Sequence, residues 1–216
     1  MKSLFLTTNQ LLYVIKQKHF LKKLFIGSVI AFLLGNLFGM VTKANEIPNQ
    51  FVRFHIVANS DSDTDQKVKW MVREEIFKQI DFSSISSKET ALDYFYKNKN
   101  RLETVANQIL LENGFSYSAT ITVGKKSFPL KEYSDFVLPS GVYDAVCITL
   151  GEGKGENFFC VMYPSLCMIE GVTTSTTSNV ELLHGILGEE ASLITGNKKQ
   201  IVCKFKIAEL LQKIGF

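Results

Sequence analysis

The stretch Leu24 to Val41, LFIGSVIAFLLGNLFGMV, constrains this chain more than any other, because it runs 18 residues without a charge. A helix of that length reaches roughly 27 Å at about 1.5 Å per residue, close to the hydrocarbon thickness of a bilayer. Phe, Leu and Ile fall on every face of such a helix rather than in one stripe, which argues against a core helix with one wet side. Lys22 and Lys23 stand just before it. Positive residues on that side predict an N-terminus held in the cytoplasm and a remainder sent across the membrane.

The apolar stretch runs into VTKAN, where Thr42 and Ala44 occupy the two small-residue positions of a signal-peptidase site. Cleavage after Ala44 is one outcome and retention as an anchor through residues 24–41 is the other. The long leader, with its own apolar patch at Leu11 to Ile15, weighs slightly against a cleaved signal. The chain therefore divides into residues 1–44, a cytoplasmic n-region with an export or anchor segment, and residues 45–216, an exported domain.

Charge follows the same division. Residues 1–44 hold six lysines and no acid, so 18 of the 24 basic residues and all 21 acidic residues fall in the remainder, for a net charge of −3 there. A phosphate-binding surface is not indicated, and nucleic acid is not an expected partner.

Export changes how the four cysteines read, because thiols outside the cytoplasm can pair and stay paired. Cys147, Cys160, Cys167 and Cys203 allow three connectivities. Pro164 at the centre of CVMYPSLC would let a turn bring Cys160 and Cys167 within bridging distance. Buried free thiols are the competing reading, since Cys147 and Cys203 each lie in an apparent strand. No CxxC pair occurs, which argues against a zinc ribbon or a thioredoxin-type site.

Phe51 to Ala58 is rich in β-branched and aromatic residues and reads as a strand, with Asn59 to Ser62 as its exit turn. From Asp63 the apolar period becomes four, through Val68, Val72, Ile76 and Ile80, which predicts an amphipathic helix. A second helix starts near Ser87 and ends at Gly114. Tyr117 to Val123 alternates as a half-buried strand does. Val142 to Leu150 and Asn157 to Tyr163 flank GEGKGE and read as a hairpin. Thr173 to Ser178 is a polar loop, Val180 to Ile194 has helical spacing, Ile201 to Lys206 resembles a final strand, and Ile207 to Ile214 a short helix. This order predicts an α+β domain: a membrane-spanning or signal helix, then a mostly antiparallel sheet with packed helices.

Asp61, Asp63 and Asp65 copy the first acidic positions of a calcium loop, but Gln66 and Val72 stand where such a loop needs glycine and glutamate. The better reading is a helix start, with capping-box spacing in both Asp63/Gln66 and Ser62/Asp65. GEGKG, Gly151 to Gly155, lacks the spacing of a phosphate loop and reads as a turn. His184 has no serine elbow or cysteine motif to serve. No metal or cofactor is expected.

Two stretches together resemble one family. RFHIVANSDSDTDQKVKWMVRE (Arg53 to Glu74) and FPLKEYSDFVLPSGVYDAVCITLGEGKGENFFCVMYPSLC (Phe128 to Cys167) look like the signature regions of the stage II sporulation protein R family. The resemblance implies a non-enzymatic signalling protein of endospore formers, made in the forespore and exported toward the space between forespore and mother-cell membranes. There it would activate a membrane-embedded aspartic protease that cleaves the precursor of mother-cell sigma factor E. Phe158 and Phe159 stand where the family's GKGxNWWC pattern has tryptophans.

Receptor-interface candidates on this reading are Arg53, His55, Asn59, Ser60, Asp61, Asp63, Lys154, Phe158 and Phe159. Two other classes compete. One is an exported cell-wall hydrolase using His55 with Asp61, Asp63 and Asp65 as acid, base or metal groups. The other is a structural or adhesive domain held at the membrane by Leu24 to Val41.

Overall fold

The computed structural model describes residues 8–166 and 179–213. Helix α1 (Thr8–Glu46) is 39 residues long. Its large apolar side chains from Phe20 and Leu24 to Phe32 and Phe38 are exposed. It is long and apolar enough to cross a membrane, as an anchor or an export signal would be. The expected boundary between Ala44 and Asn45 falls inside this helix, which runs on to Glu46 and a 3-10 turn, Ile47–Gln50.

Next come β1 (Val52–Val57), α2 (Asp63–Gln79), α3 (Lys88–Glu112) and β2 (Ala119–Phe128). A short ribbon, β3 (Lys131–Glu132) with β4 (Val137–Leu138), precedes β5 (Gly141–Leu150) and β6 (Asn157–Tyr163). Helices α4 (Asn179–Leu187) and α5 (Lys198–Lys213) close the described chain.

The four-stranded sheet has the order β2-β5-β1-β6. Its β1/β5 pair is parallel, while β1/β6 and β2/β5 are antiparallel, so the sheet is mixed with antiparallel pairs in the majority. Strand β1 is buried at all six positions because it is interior to the sheet and both faces are covered. Alternation then sorts its residues. Val52, Phe54 and Ile56 join Val68, Val72, Phe95 and Leu102 in a core under α2 and α3. The opposite face belongs to a second core, with Phe128, Tyr143, Cys147, Val161 and Phe205.

Two sequence expectations are overturned. GEGKGE does not close a hairpin, because β1 lies between β5 and β6. A loop of residues 151–156 is long enough to step over two strand spacings, roughly 10 Å, which a tight two-residue turn is not. Ile201 to Lys206 is not a strand but part of α5, in which Ile201, Phe205 and Ala208 form the buried stripe. Strand propensity in IVCKFK yields there to packing at helical period. Cys203 is accordingly an exposed thiol on a helix, whereas Cys147 is buried in β5, and both are free. Cys167, one end of the expected Cys160–Cys167 bridge, lies outside the described residues, as does the Thr173 to Ser178 loop.

The remaining elements follow their local signals. Ser87 caps α3 in a reciprocal box with Thr90, and Gly114 ends that helix at a φ of 81°. β2 is longer than the alternating stretch that predicts it, and the β3/β4 ribbon has no counterpart in the sequence reading.

Candidate functional site

The end of β1, the start of α2 and the loop between β5 and β6 form one polar corner. Ser62 is the cap of α2 and accepts a hydrogen bond from the Asp65 amide at 3.2 Å. The reciprocal half of a capping box is missing, because the Ser62 amide donates to Ser60 Oγ instead. Nor does Asp63 pair with Gln66, whose amide nitrogen donates to Ser60 O at 2.9 Å.

Asp65 is free for another task. Its carboxylate accepts from Ser60 Oγ at 2.6 Å, Asn59 Nδ2 at 2.9 Å and the Tyr117 hydroxyl at 2.5 Å. Burial pushes the Asp65 carboxyl up, but the bonds from Ser60, Tyr117, Asn59 and Ser62 outweigh it and hold the group below its ordinary range. Asp65 is a structural anion that ties strand exit, helix start and the approach to β2 together.

The glycine-rich loop is laid along this corner by its backbone. Lys154 N donates to Asn59 O at 3.1 Å, and Gly155 N to Ala58 O at 2.9 Å. Side chains complete the seam: Glu152 N donates to Asn59 Oδ1 at 2.9 Å and Glu156 N to Asp61 Oδ1 at 2.6 Å. Lys69, buried on α2, donates to Gln66 Oε1 at 2.5 Å and to Glu156 O at 3.1 Å. Burial pushes the Lys69 ammonium down, against the opposing pull of Glu156 and Asp61.

Arg53 and His55 sit behind this corner, on the second face of the sheet. Arg53 is 0 % exposed and its guanidinium carbon lies 4.2 Å from the centroid of Phe128 and 5.0 Å from that of Tyr143. One guanidinium nitrogen donates to the Tyr133 hydroxyl at 3.1 Å, while Nε and Nη1 have no hydrogen-bond partner among the described residues. Stacking on ring faces offsets part of the cost of burying that cation. His55 stacks on Phe159 at 4.7 Å, and its Nε2 is 2.7 Å from Asn157 Oδ1.

Burial lowers the His55 pKa, more than the Asn157 hydrogen bond raises it, with Lys126 and Arg53 lowering it further. An unfolded histidine therefore takes up a proton near pH 6.5 that the folded one resists, so stability falls as the pH drops below that value. Urea midpoints at pH 7.5 and 5.5 are expected to differ less in His55→Gln than in the parent. An unchanged gap would contradict a neutral, buried His55.

The sequence candidates thus separate. Asn59, Ser60, Asp61 and Lys154 are brought together at the corner, with Asp61, Asp63 and Lys154 exposed. Arg53 and His55 lie beneath Phe159 and present almost no surface. Phe158 points to the other face and packs at 5.1 Å on Trp70, with Arg73 over its ring at 5.0 Å. The cleft beside Phe158 and Phe159 holds about 30 Å3, room for one water and far below a small-molecule site. Among the described residues no group of three His, Cys, Asp or Glu is placed to hold a metal ion.

Sequence reasoning missed Tyr117, Lys69 and Asn157, and it named Gln66 with the wrong partner. Its turn at Gly151 to Gly155 is present, but the sequence reading did not see that these glycines let the loop approach the β1 exit closely.

The family model for stage II sporulation protein R matches residues 48–173. A curated relative, stage II sporulation protein R of Bacillus subtilis (strain 168), is 37% identical over 126 residues, covering 57% of this chain and 56% of the relative. The chain spans about half the length of that relative. No solved structure matches. The polar corner and the loop laid across it fall within the matched region, and α4 and α5 fall beyond it.

Proposed function

This chain belongs to the stage II sporulation protein R family, and on that premise we propose that it is an exported sporulation signal without catalytic activity of its own. Its receptor is the membrane-embedded aspartic protease that processes the precursor of mother-cell sigma factor E, and it acts from the forespore side of the intermembrane space. A ligand shifts such a receptor only by binding its active state better than its inactive one.

The observation that supports this reading is the corner itself, where exposed Asp61, Asp63 and Lys154 stand on a backbone already tied by hydrogen bonds. A surface fixed before contact loses little conformational entropy on binding. Phe158 and Trp70 extend it with an aromatic patch. The hydrolase reading finds no support in His55, whose partner is Asn157 rather than a carboxylate and which is stacked beneath Phe159. In an exported protein Cys160 and Cys167 are the pair left to bridge, because Cys147 and Cys203 are free.

The test is cleavage of the sigma-factor precursor in cells that hold the membrane protease and its substrate. Cleavage is expected only when this protein is co-expressed with its export segment, and is expected to weaken at least several-fold with Asp61→Lys combined with Lys154→Glu, which reverse exposed charges. Equal cleavage with and without the exported protein defeats the proposal.

A further inference from the structure

The end of α1 is part of the folded domain rather than a tether leading to it. Val41 is 5 % exposed, Ala44 6 % and Ile47 2 %, and their spacing of three puts them on one side of the last helical turns. That stripe shares a core with Phe51, Phe205 and Ala208. The Gln212 amide of α5 donates to Asn45 Oδ1, and Ala44 and Asn45 share a narrow crevice with Pro139, Phe205, Ala208 and Gln212. The 3-10 turn that follows is equally fixed. Lys88 Nζ donates to Asn49 O at 2.7 Å, and a Cβ on Gly141 would stand 2.8 Å from Pro48 Cγ, which shows how closely the turn is pressed on β5.

Proteases cut where the chain is exposed and can leave its secondary structure. The Ala44–Asn45 peptide does not meet both conditions, since it is helical and Ala44 is buried against α5, although Asn45 is exposed. To be cut there, the chain would have to unwind the last turns of α1 and withdraw Val41, Ala44 and Ile47 from the core together. Of the motif's two small residues, Ala44 is thus covered by the folded domain, while Thr42 remains exposed.

We infer that the mature protein keeps α1 as a membrane anchor, docked through its last turns on α5, and that the Ala44–Asn45 junction is closed to processing by that docking. The exposed apolar surface extends to Phe38 and burial begins at Val41, a rise of roughly 4.5 Å along the helix. The domain therefore sits directly against the membrane surface with no linker between them. A protein held this way is presented at a membrane instead of being released to diffuse. None of this depends on which receptor it meets.

The deciding experiment is expression of the full chain with a C-terminal tag in bacteria that export it, followed by intact mass of the tagged protein from membrane and soluble fractions. The expected product retains the residues before Asn45 and leaves the membrane only in detergent. A soluble product beginning at Asn45 overturns the inference. Phe205→Ala tests the packing, because it loosens the docking of α1 from the α5 side and leaves the junction residues themselves unchanged. Cleavage of a transiently opened segment follows its open population, so the product beginning at Asn45 is expected to rise roughly tenfold or more. A Phe205→Ala protein that stays folded, as the fluorescence of Trp70 reports, and is as intact as its parent overturns the assignment of protection to packing. A variant too unstable to assay leaves the parent chain's own mass to decide.

Discussion

Asp65→Ala is expected to destabilise the domain by about 3 kcal/mol, one of the two largest losses available from a single side chain at the corner. Each hydrogen bond to a charged group contributes about 1.5–3 kcal/mol, and this carboxylate accepts from Ser60, Asn59 and Tyr117 besides standing over the first turn of α2. The sum is smaller than three such bonds, because Asn59, Ser60 and Tyr117 are only half-buried and can turn partly to water. Ser62→Ala removes one capping bond and is expected to cost about 1 kcal/mol. The contrast separates the anion's role from that of an ordinary cap. Urea unfolding of the full chain in a non-ionic detergent, followed by the fluorescence of Trp70, the sole tryptophan, measures both.

The pH dependence supplies a second signature. Because the folded carboxyl is held below its ordinary value, its contribution is present above an unfolded pKa of about 3.9 and is lost as the pH falls through the lower folded value. The gap between parent and Asp65→Asn should therefore be wide at pH 7 and narrower at pH 2. Equal gaps at both would mean that the carboxylate's charge contributes nothing.

The helices on the first core were legible because their apolar periods are sustained and their ends carry strong signals, such as Ser87 with Thr90 and Gly114 with its positive φ. β1 was legible for a related reason, since a strand covered on both faces reads as a nearly unbroken apolar run. Its neighbours were not. Strand order depends on which edges meet in space, so two strands joined by a glycine-rich loop read as a hairpin while β1 takes the place between them. Ile201 to Lys206 failed differently, because six residues carry too few turns for the period to outweigh β-branched and aromatic composition.

At the site, the sequence identified the acidic turn and the glycine loop but not what joins them. Asp65 bonds to Tyr117 across 52 positions and Glu156 to Asp61 across 95, separations that no local pattern reports. The same limit explains Arg53, an arginine in a strand that reads as a contact residue until Phe128, Tyr143 and Phe159 are seen to enclose it.

Gly155→Ala is the second large effect, and its mechanism is steric. A Cβ at this position would stand 2.2 Å from the backbone oxygen of Ser60 and 2.5 Å from its carbonyl carbon. The obstacle is backbone, so no side-chain rotation relieves it, and the loop must lift from the strand exit. Lifting loosens the bonds from Gly155 N to Ala58 O and from Lys154 N to Asn59 O, and the bond from Glu156 N to Asp61 Oδ1 with them. Overpacking of this kind costs about 3 kcal/mol, the upper part of its usual range. Gly114→Ala is the comparison, since its φ of 81° is unfavourable for alanine but nothing lies within 4 Å of the added carbon. Backbone strain alone should cost about 1–2 kcal/mol there. If Gly155→Ala proves no worse than Gly114→Ala in the same urea experiment, the loop is not pressed on the corner. If it is clearly worse, precursor cleavage should also fall below that of Gly114→Ala at a temperature where both remain folded, because only one of the two lifts the loop that carries Lys154 away from the strand exit.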